Sequence, residues 1–209
     1  MRLSNRFEKH VLVAAAVAMG ATAAANAAVV YSGILNFSCA IDIDGTYINV
    51  QTGQLTNGPG AGVPGWDVNP YRSSSGSGMN FFSPTGGGMV SAVANTGPAI
   101  NLAVGTVVGS TSIFSTSTAT ISFGSAAGQW QYASDNIVGF RFVSSAGTTH
   151  YGWMRFLMGS QPATGNLVTR TVVDFAYESV AGESITVTPA PGALALLGVA
   201  GLAGTRRRR

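Results

Sequence analysis

Charge, cysteine and lysine are scarce in this chain. Of its 209 residues only 9 % are charged, Cys39 is the one cysteine, Lys9 the one lysine, and His10 and His150 the two histidines. A lone cysteine excludes an internal disulfide framework. So few histidines and lysines exclude a three-histidine zinc centre, a His-Glu-x-x-His metalloprotease and, once Lys9 is assigned to a leader, a Schiff-base enzyme. The Gly-x-Ser-x-Gly elbow of α/β hydrolases is missing as well. Nowhere in the body of the chain do apolar residues recur at three-and-four spacing over a dozen positions, so coiled coils and long amphipathic helices are excluded. The 28 glycines follow no three-residue period, which excludes a collagen triple helix.

What is present is concentrated at the ends. Arg2, Arg6 and Lys9 stand against the single acid Glu8, and Val11 to Met19 is an unbroken apolar run followed by small residues. This is the pattern of a secretory signal peptide over residues 1–27, and the small side chains of Ala25 and Ala27 suit a signal peptidase that cuts before Ala28. The other end repeats the ingredients in reverse. Pro189-Ala190-Pro191 precedes an uncharged stretch from Gly192 to Gly204, and Arg206, Arg207, Arg208 and Arg209 close the chain. As a helix that stretch reaches roughly 20 Å, short of the ~30 Å hydrocarbon core, so it suits transient contact with the inner membrane, its arginines on the cytoplasmic side. The prolines do not propagate a helix and leave an extended, accessible hinge beside the membrane.

The tail over residues 189–209 resembles the PEP-CTERM sorting signal of Gram-negative-type bacteria: a proline-flanked tripeptide, a short membrane segment and terminal arginines, recognised by a membrane peptidase, exosortase. Ala190 stands where that signal usually carries Glu. The resemblance extends inward through Phe140-Arg141-Phe142, Thr149-His150-Tyr151-Gly152-Trp153-Met154-Arg155-Phe156 and Asp174-Phe175-Ala176-Tyr177-Glu178, which are similar to the last strands of envelope proteins ending in this signal. It implies export across the inner membrane, trimming by exosortase, and residence at the outer surface or in the extracellular matrix, in reach of exopolysaccharide.

Residues 28–188 remain as one domain. Short runs rich in Val, Ile, Phe, Tyr and Thr alternate with Gly, Ser, Asn and Pro, which predicts an all-β fold: a two-sheet antiparallel sandwich, jelly-roll-like. The expected strands are Val29–Phe37, Tyr47–Thr52, Met89–Ala94, Ile100–Val104, Ala119–Phe123, Ile137–Val143, Thr149–Leu157, Val168–Tyr177 and Ser184–Thr188. Val138, Phe140 and Phe142 share one face, and Arg141 and Arg155 are expected to point outward or to pair with Asp174 or Glu178. From Gly53 to Gly88 the chain is rich in Gly, Pro and Ser, and reads as a long ordered loop or a pair of irregular hairpins pinned by Trp66, Tyr71, Phe81 and Phe82. The Ser/Thr run from Gly109 to Thr120 reads as a solvent-facing edge, with a site of O-linked sugar as the alternative.

Within the domain no constellation stands out as catalytic, and no cofactor or metal site is expected. Cys39 reads as a small buried hydrophobe and His150 as a residue flanking a strand at a sheet edge. Asp174 and Glu178, four apart on one strand, are about 13 Å from each other, too far for the paired carboxylates of a glycosidase. Asp42-Ile43-Asp44-Gly45 echoes the start of a calcium loop but lacks its closing glutamate, and a turn between strands explains it. The net charge of +3 sits in the two ends: four arginines against seven acids leave the domain at −3, with no basic patch for nucleic acid. Two functions follow. One is a non-catalytic envelope or matrix protein sorted by its ends; the other is a carbohydrate-binding, lectin-like module, or more remotely a glycoside-active enzyme, with sugar stacking on Trp66, Tyr71 and Trp153.

Overall fold

The computed structural model describes residues 28–73, 78–163 and 167–188. Among these residues the chain is all-β, with antiparallel sheets, no α-helix and one short 3-10 turn, Gly60–Gly62. Three long strands form its spine: β11 (Asp135–Val143), β12 (Thr149–Met158) and β13 (Arg170–Glu178). They are consecutive neighbours in a seven-stranded sheet that continues from β11 to β7 (Gly88–Val90) and β9 (Phe114–Ser115). On its opposite edge, β13 pairs with both β1 (Val29–Tyr31) and β2 (Phe37–Ser38).

Both faces of this sheet are covered, which is why its strands are buried at nearly every position rather than at alternate ones. One face carries Val138, Phe140, Phe142, Met154, Phe156, Val172 and Phe175, as the alternation predicts. It packs against a three-stranded sheet of β10 (Thr118–Thr120), β6 (Asn80–Phe82) and β5 (Asn69–Tyr71), and against the ribbon of β3 (Thr46–Asn49) and β4 (Gln54–Asn57). Phe81, Trp130 and Phe156 meet there at ring separations of 5.5 to 6.0 Å, and the Trp130 indole N–H donates to the Ala99 carbonyl at 2.9 Å. The other face carries Tyr151, Trp153 and Ala176 and is covered by β8 (Val107–Val108) and β14 (Ile185–Thr186), together with Val90, Leu102 and Phe114.

The sandwich expectation therefore holds in its coarse form. The sheets have seven, three, two and two strands, and the spine is a meander, so they do not reproduce the paired four-stranded sheets of a jelly roll. Val29–Phe37 is not one strand either. The register between β12 and β13 shifts after Arg155, which pairs with Asp174 while Phe156 pairs with Val172, leaving Val173 as the extra residue of a bulge. The edge chain follows that kink: β1 pairs above it, β2 below it, and Leu35 and Asn36 both donate to the Val173 carbonyl from between. Ile100–Val104 forms no strand; its residues make a strap whose Leu102 N–H donates to the Ile137 carbonyl at 2.7 Å. Between Gly53 and Gly88 the chain holds β4, β5 and β6, the hairpin form of that expectation.

Candidate functional site

Trp66 is half-buried and lies in a surface group of three rings. Tyr47, on β3, meets it edge-on at 5.0 Å, and Phe82, on β6, lies 5.9 Å away on a tilted plane. Two of the rings, Tyr47 and Phe82, are placed by local features. The Tyr47 hydroxyl donates to Asp44 at 2.9 Å, while the Gly60 backbone lies so close that a Cβ there would come within 2.5 Å of the Tyr47 ring. Phe82 follows Phe81 on a strand, so pleating sends Phe81 into the core and leaves Phe82 38 % exposed. The group is a small aromatic platform flanked by the Asp44 carboxylate, able to stack on a flat apolar face.

Tyr71 does not join this platform among the described residues. It ends β5, half-buried, with its hydroxyl accepting from Asn80 Nδ2 at 3.2 Å. Trp153 is a correction: only 1 % of it is exposed, and its ring packs in the second core 6.5 Å from Tyr31, so it offers no surface for stacking. Its position on the inward face of the doubly covered sheet is the reason. Sequence reasoning named Trp66 and missed Tyr47 and Phe82 as its partners. Alternation through Phe81-Phe82 was the available signal for Phe82; the contact across to Tyr47 depends on how the hairpins fold.

The chemically suggestive residues are kept apart or occupied. Cys39 donates its backbone N–H to the Arg170 carbonyl at one end of β13, whereas His150 meets the Glu178 carbonyl at the other end. Eight residues of strand separate the two by about 26 Å, which excludes a Cys–His pair. The His150 Nδ1–H donates to that carbonyl at 2.9 Å, and Nε2 lies 3.0 Å from the Thr148 hydroxyl. Burial pushes the Cys39 thiol pKa up, away from a reactive thiolate. Asp42 accepts the Gly45 N–H at 2.8 Å and closes the expected turn, and among the described residues no cluster of three or more His, Cys, Asp or Glu is placed to hold a metal ion.

A second concave feature lies on the other side of the main sheet. Where the 101–104 strap and the segment after β14 cross β11 and β12, a cavity of about 330 Å³ opens, with Trp153, Leu102 and Ile137 in its wall and Asp135, Arg155 and Thr188 among its polar groups. Arg155 grips the fully buried Asp174 with two bonds, Nε at 2.9 Å and Nη2 at 2.6 Å, and reaches Asp135 with Nη1 at 3.3 Å. The hydrogen bond that Arg155 donates to Asp174 holds the Arg155 pKa above its ordinary value, against the opposing effect of burial. The Tyr31 hydroxyl also donates to Asp174, at 2.7 Å, tying β1 to the spine. Trp153 Nε1 is buried and has no hydrogen-bond partner among the described residues.

Ala28, the residue expected to follow signal cleavage, is exposed, and its carbonyl accepts the Ser179 N–H at 3.1 Å. Ala25, Ala27, Pro189, Ala190, Pro191 and Arg206 to Arg209 lie outside the described residues. Among the described residues no helix is long and apolar enough to cross a membrane. No known family model, curated protein or solved structure matches the chain.

Proposed function

We propose that the chain is an exported, non-catalytic protein of the bacterial cell envelope or extracellular matrix, with residues 28–188 as its working part and the two ends as addresses read by signal peptidase and by exosortase. One observation carries the reading best: Arg2, Arg6 and Lys9 ahead of the apolar run Val11 to Met19, and Pro189-Ala190-Pro191 ahead of Arg206 to Arg209, flank residues that form an all-β fold. The non-catalytic part rests on the separation of Cys39 from His150 and on the hydrogen bonds that already engage His150, Asp42 and Asp174. Expression of the full chain in a bacterium that has exosortase, followed by fractionation and N-terminal sequencing, tests export. The expected product begins at Ala28 and is found outside the inner membrane; a cytoplasmic product beginning at Met1 overturns the reading.

The Tyr47–Trp66–Phe82 platform favours a second reading, a carbohydrate-binding module that retains the protein on exopolysaccharide. Flat rings beside a carboxylate suit a pyranose, which offers an apolar face and hydroxyls at its rim. Binding to a glycan array that survives high salt and is lost in Trp66→Ala supports it, and silence across the array counts against it.

A further inference from the structure

We propose that the Tyr47–Trp66–Phe82 platform is one end of a longer track that binds a neutral polysaccharide chain along its length, running beside β5 to Tyr71 over the outward face of the β10–β6–β5 sheet. The proposal rests on the carbohydrate-binding reading and adds to it the extent of the site and the charge class of the ligand. Register lays out the track. Phe82 stands between Thr118 and Asn69, and Asn80 between Thr120 and Tyr71, so the two sets form neighbouring rows across the three strands. Pro70, Phe81 and Ala119, which lie between the rows, are buried, so pleating turns both rows outward. Phe82, Thr118 and Thr120 are exposed. Tyr71, whose ring stands apart from the other three, is half-buried and steadied by the bond from Asn80 Nδ2 to its hydroxyl at 3.2 Å.

A bulge brings Trp66 onto this face. The Asp67 and Val68 N–H groups both donate to the Ile48 carbonyl, at 2.7 and 3.2 Å, the two-against-one arrangement of a β-bulge. Strict alternation back from Tyr71 and Asn69 would send Trp66 to the core side with Val68. The inserted residue reverses the phase, and Trp66 meets the outward Phe82 ring instead. Trp66 and Tyr71 are then five steps apart on extended chain, roughly 16 Å, with the Phe82 row between them. One pyranose ring does not reach both. Successive rings of a chain do, each laying an apolar face on an aromatic ring and turning its hydroxyls toward Asn80, Thr118 and Thr120. Charge selects the class. Neither row contains a charged side chain; Asp44 flanks the platform end beside Tyr47, and Arg72 follows Tyr71 at the other. A uronate chain carries a carboxylate on every ring and would meet Asp44, with one arginine at the far end to offset it. Nucleic acid also stacks on rings, but it needs a basic groove, and residues 28–188 carry −3.

Chain length separates the track from the platform alone. The full chain, labelled with nitrogen-15 and held in phosphocholine micelles so that no sugar detergent competes, is titrated with cellobiose and cellohexaose, mannobiose and mannohexaose, laminaribiose and laminarihexaose, maltose and maltohexaose, and with hexagalacturonate. Binding is followed by the Trp66 indole signal, assigned from Trp66→Phe. The expected result is saturable movement in at least one neutral series, with the hexaose bound about tenfold more tightly than its disaccharide, and no movement with hexagalacturonate. Tyr71→Ala should remove most of that gain with chain length. Thr120→Glu should do the same from an exposed strand position, where the change keeps the fold even if Tyr71→Ala does not. Equal affinity for disaccharide and hexaose, or a gain that survives both variants, overturns the track and leaves the platform standing. Hexagalacturonate bound as tightly as the neutral hexaoses overturns the charge class. No movement of the Trp66 signal with any sugar overturns the track and the carbohydrate-binding reading together.

Discussion

Asp67 is 5 % exposed, and its carboxylate accepts the Val50 N–H at 2.9 Å. Burial pushes its pKa up to about 6, and the Val50 hydrogen bond offsets only part of that. The unfolded chain releases the same proton near 3.9, so between about pH 4 and pH 6 the folded state holds a proton that the unfolded state has lost. Stability from this residue is therefore greatest below about pH 4, falls as pH rises toward 6, and stays low above it, a total of about 3 kcal/mol. Asp67→Asn keeps an acceptor for Val50 and removes the buried charge. Denaturant melts should show the variant stabilised by about 1–3 kcal/mol at pH 8 and level with the parent at pH 4. A parent-minus-variant difference that does not change with pH contradicts the assignment. Nothing in the sequence marked Asp67: it follows Trp66 in a stretch read as loop, and its burial comes from the hairpins closing over β3.

Among the elements, β13 shows most clearly what patterning reveals and what it hides. Its existence was legible in the run Val168–Tyr177, and the common inward face of Phe175 and Tyr177 is consistent with alternation; its pairing with β12 is a finding of the structure. The bulge at Val173 shifts the phase, so Val172 returns to the same core as Phe175, and no alternation rule locates such an insertion. Arg170 illustrates the consequence. It turns inward with 2 % exposure, its guanidinium satisfied by the Ala40 and Gly78 carbonyls, where a charged residue near a strand end reads as solvent-facing. Arg155 meets the expectation of pairing with Asp174, whereas Arg141 lies over the Phe114 ring at 4.7 Å instead of pairing with either expected acid. A different device joins β11 to β12: Phe140 lies opposite Gly152 and covers it, and a Cβ on Gly152 would overlap that ring and lie 2.6 Å from the Ala176 carbonyl oxygen. Gly152→Ala should lower stability by about 1–3 kcal/mol in denaturant melts. Adding Phe140→Leu should cost less than the sum of the two single changes, because the ring is part of the clash. Strict additivity would show that the ring is not what excludes a side chain there.

At the scale of the molecule, charge divides along the chain. Residues 28–188 carry −3, and the basic residues that make the whole chain +3 lie in residues 1–27 and 189–209. The all-β class and the long central strands were legible because nearly every local signal agreed. The covering of both faces of the main sheet was not, since it depends on which short strands fold over which side, and with it went the assignment of Trp153 as a surface ring. The platform was legible at Trp66 alone. The proposal of a trimmed envelope protein makes one demand on the complete chain that a binding assay does not reach: loss of the arginine tail must depend on exosortase. Intact mass of the protein recovered from otherwise identical cells with and without that peptidase measures it directly. With the enzyme, the product should begin at Ala28 and end within or just before Pro189-Ala190-Pro191; without it, the mass should extend to Arg209. An unchanged mass, with Arg206 to Arg209 retained in both, contradicts the proposal.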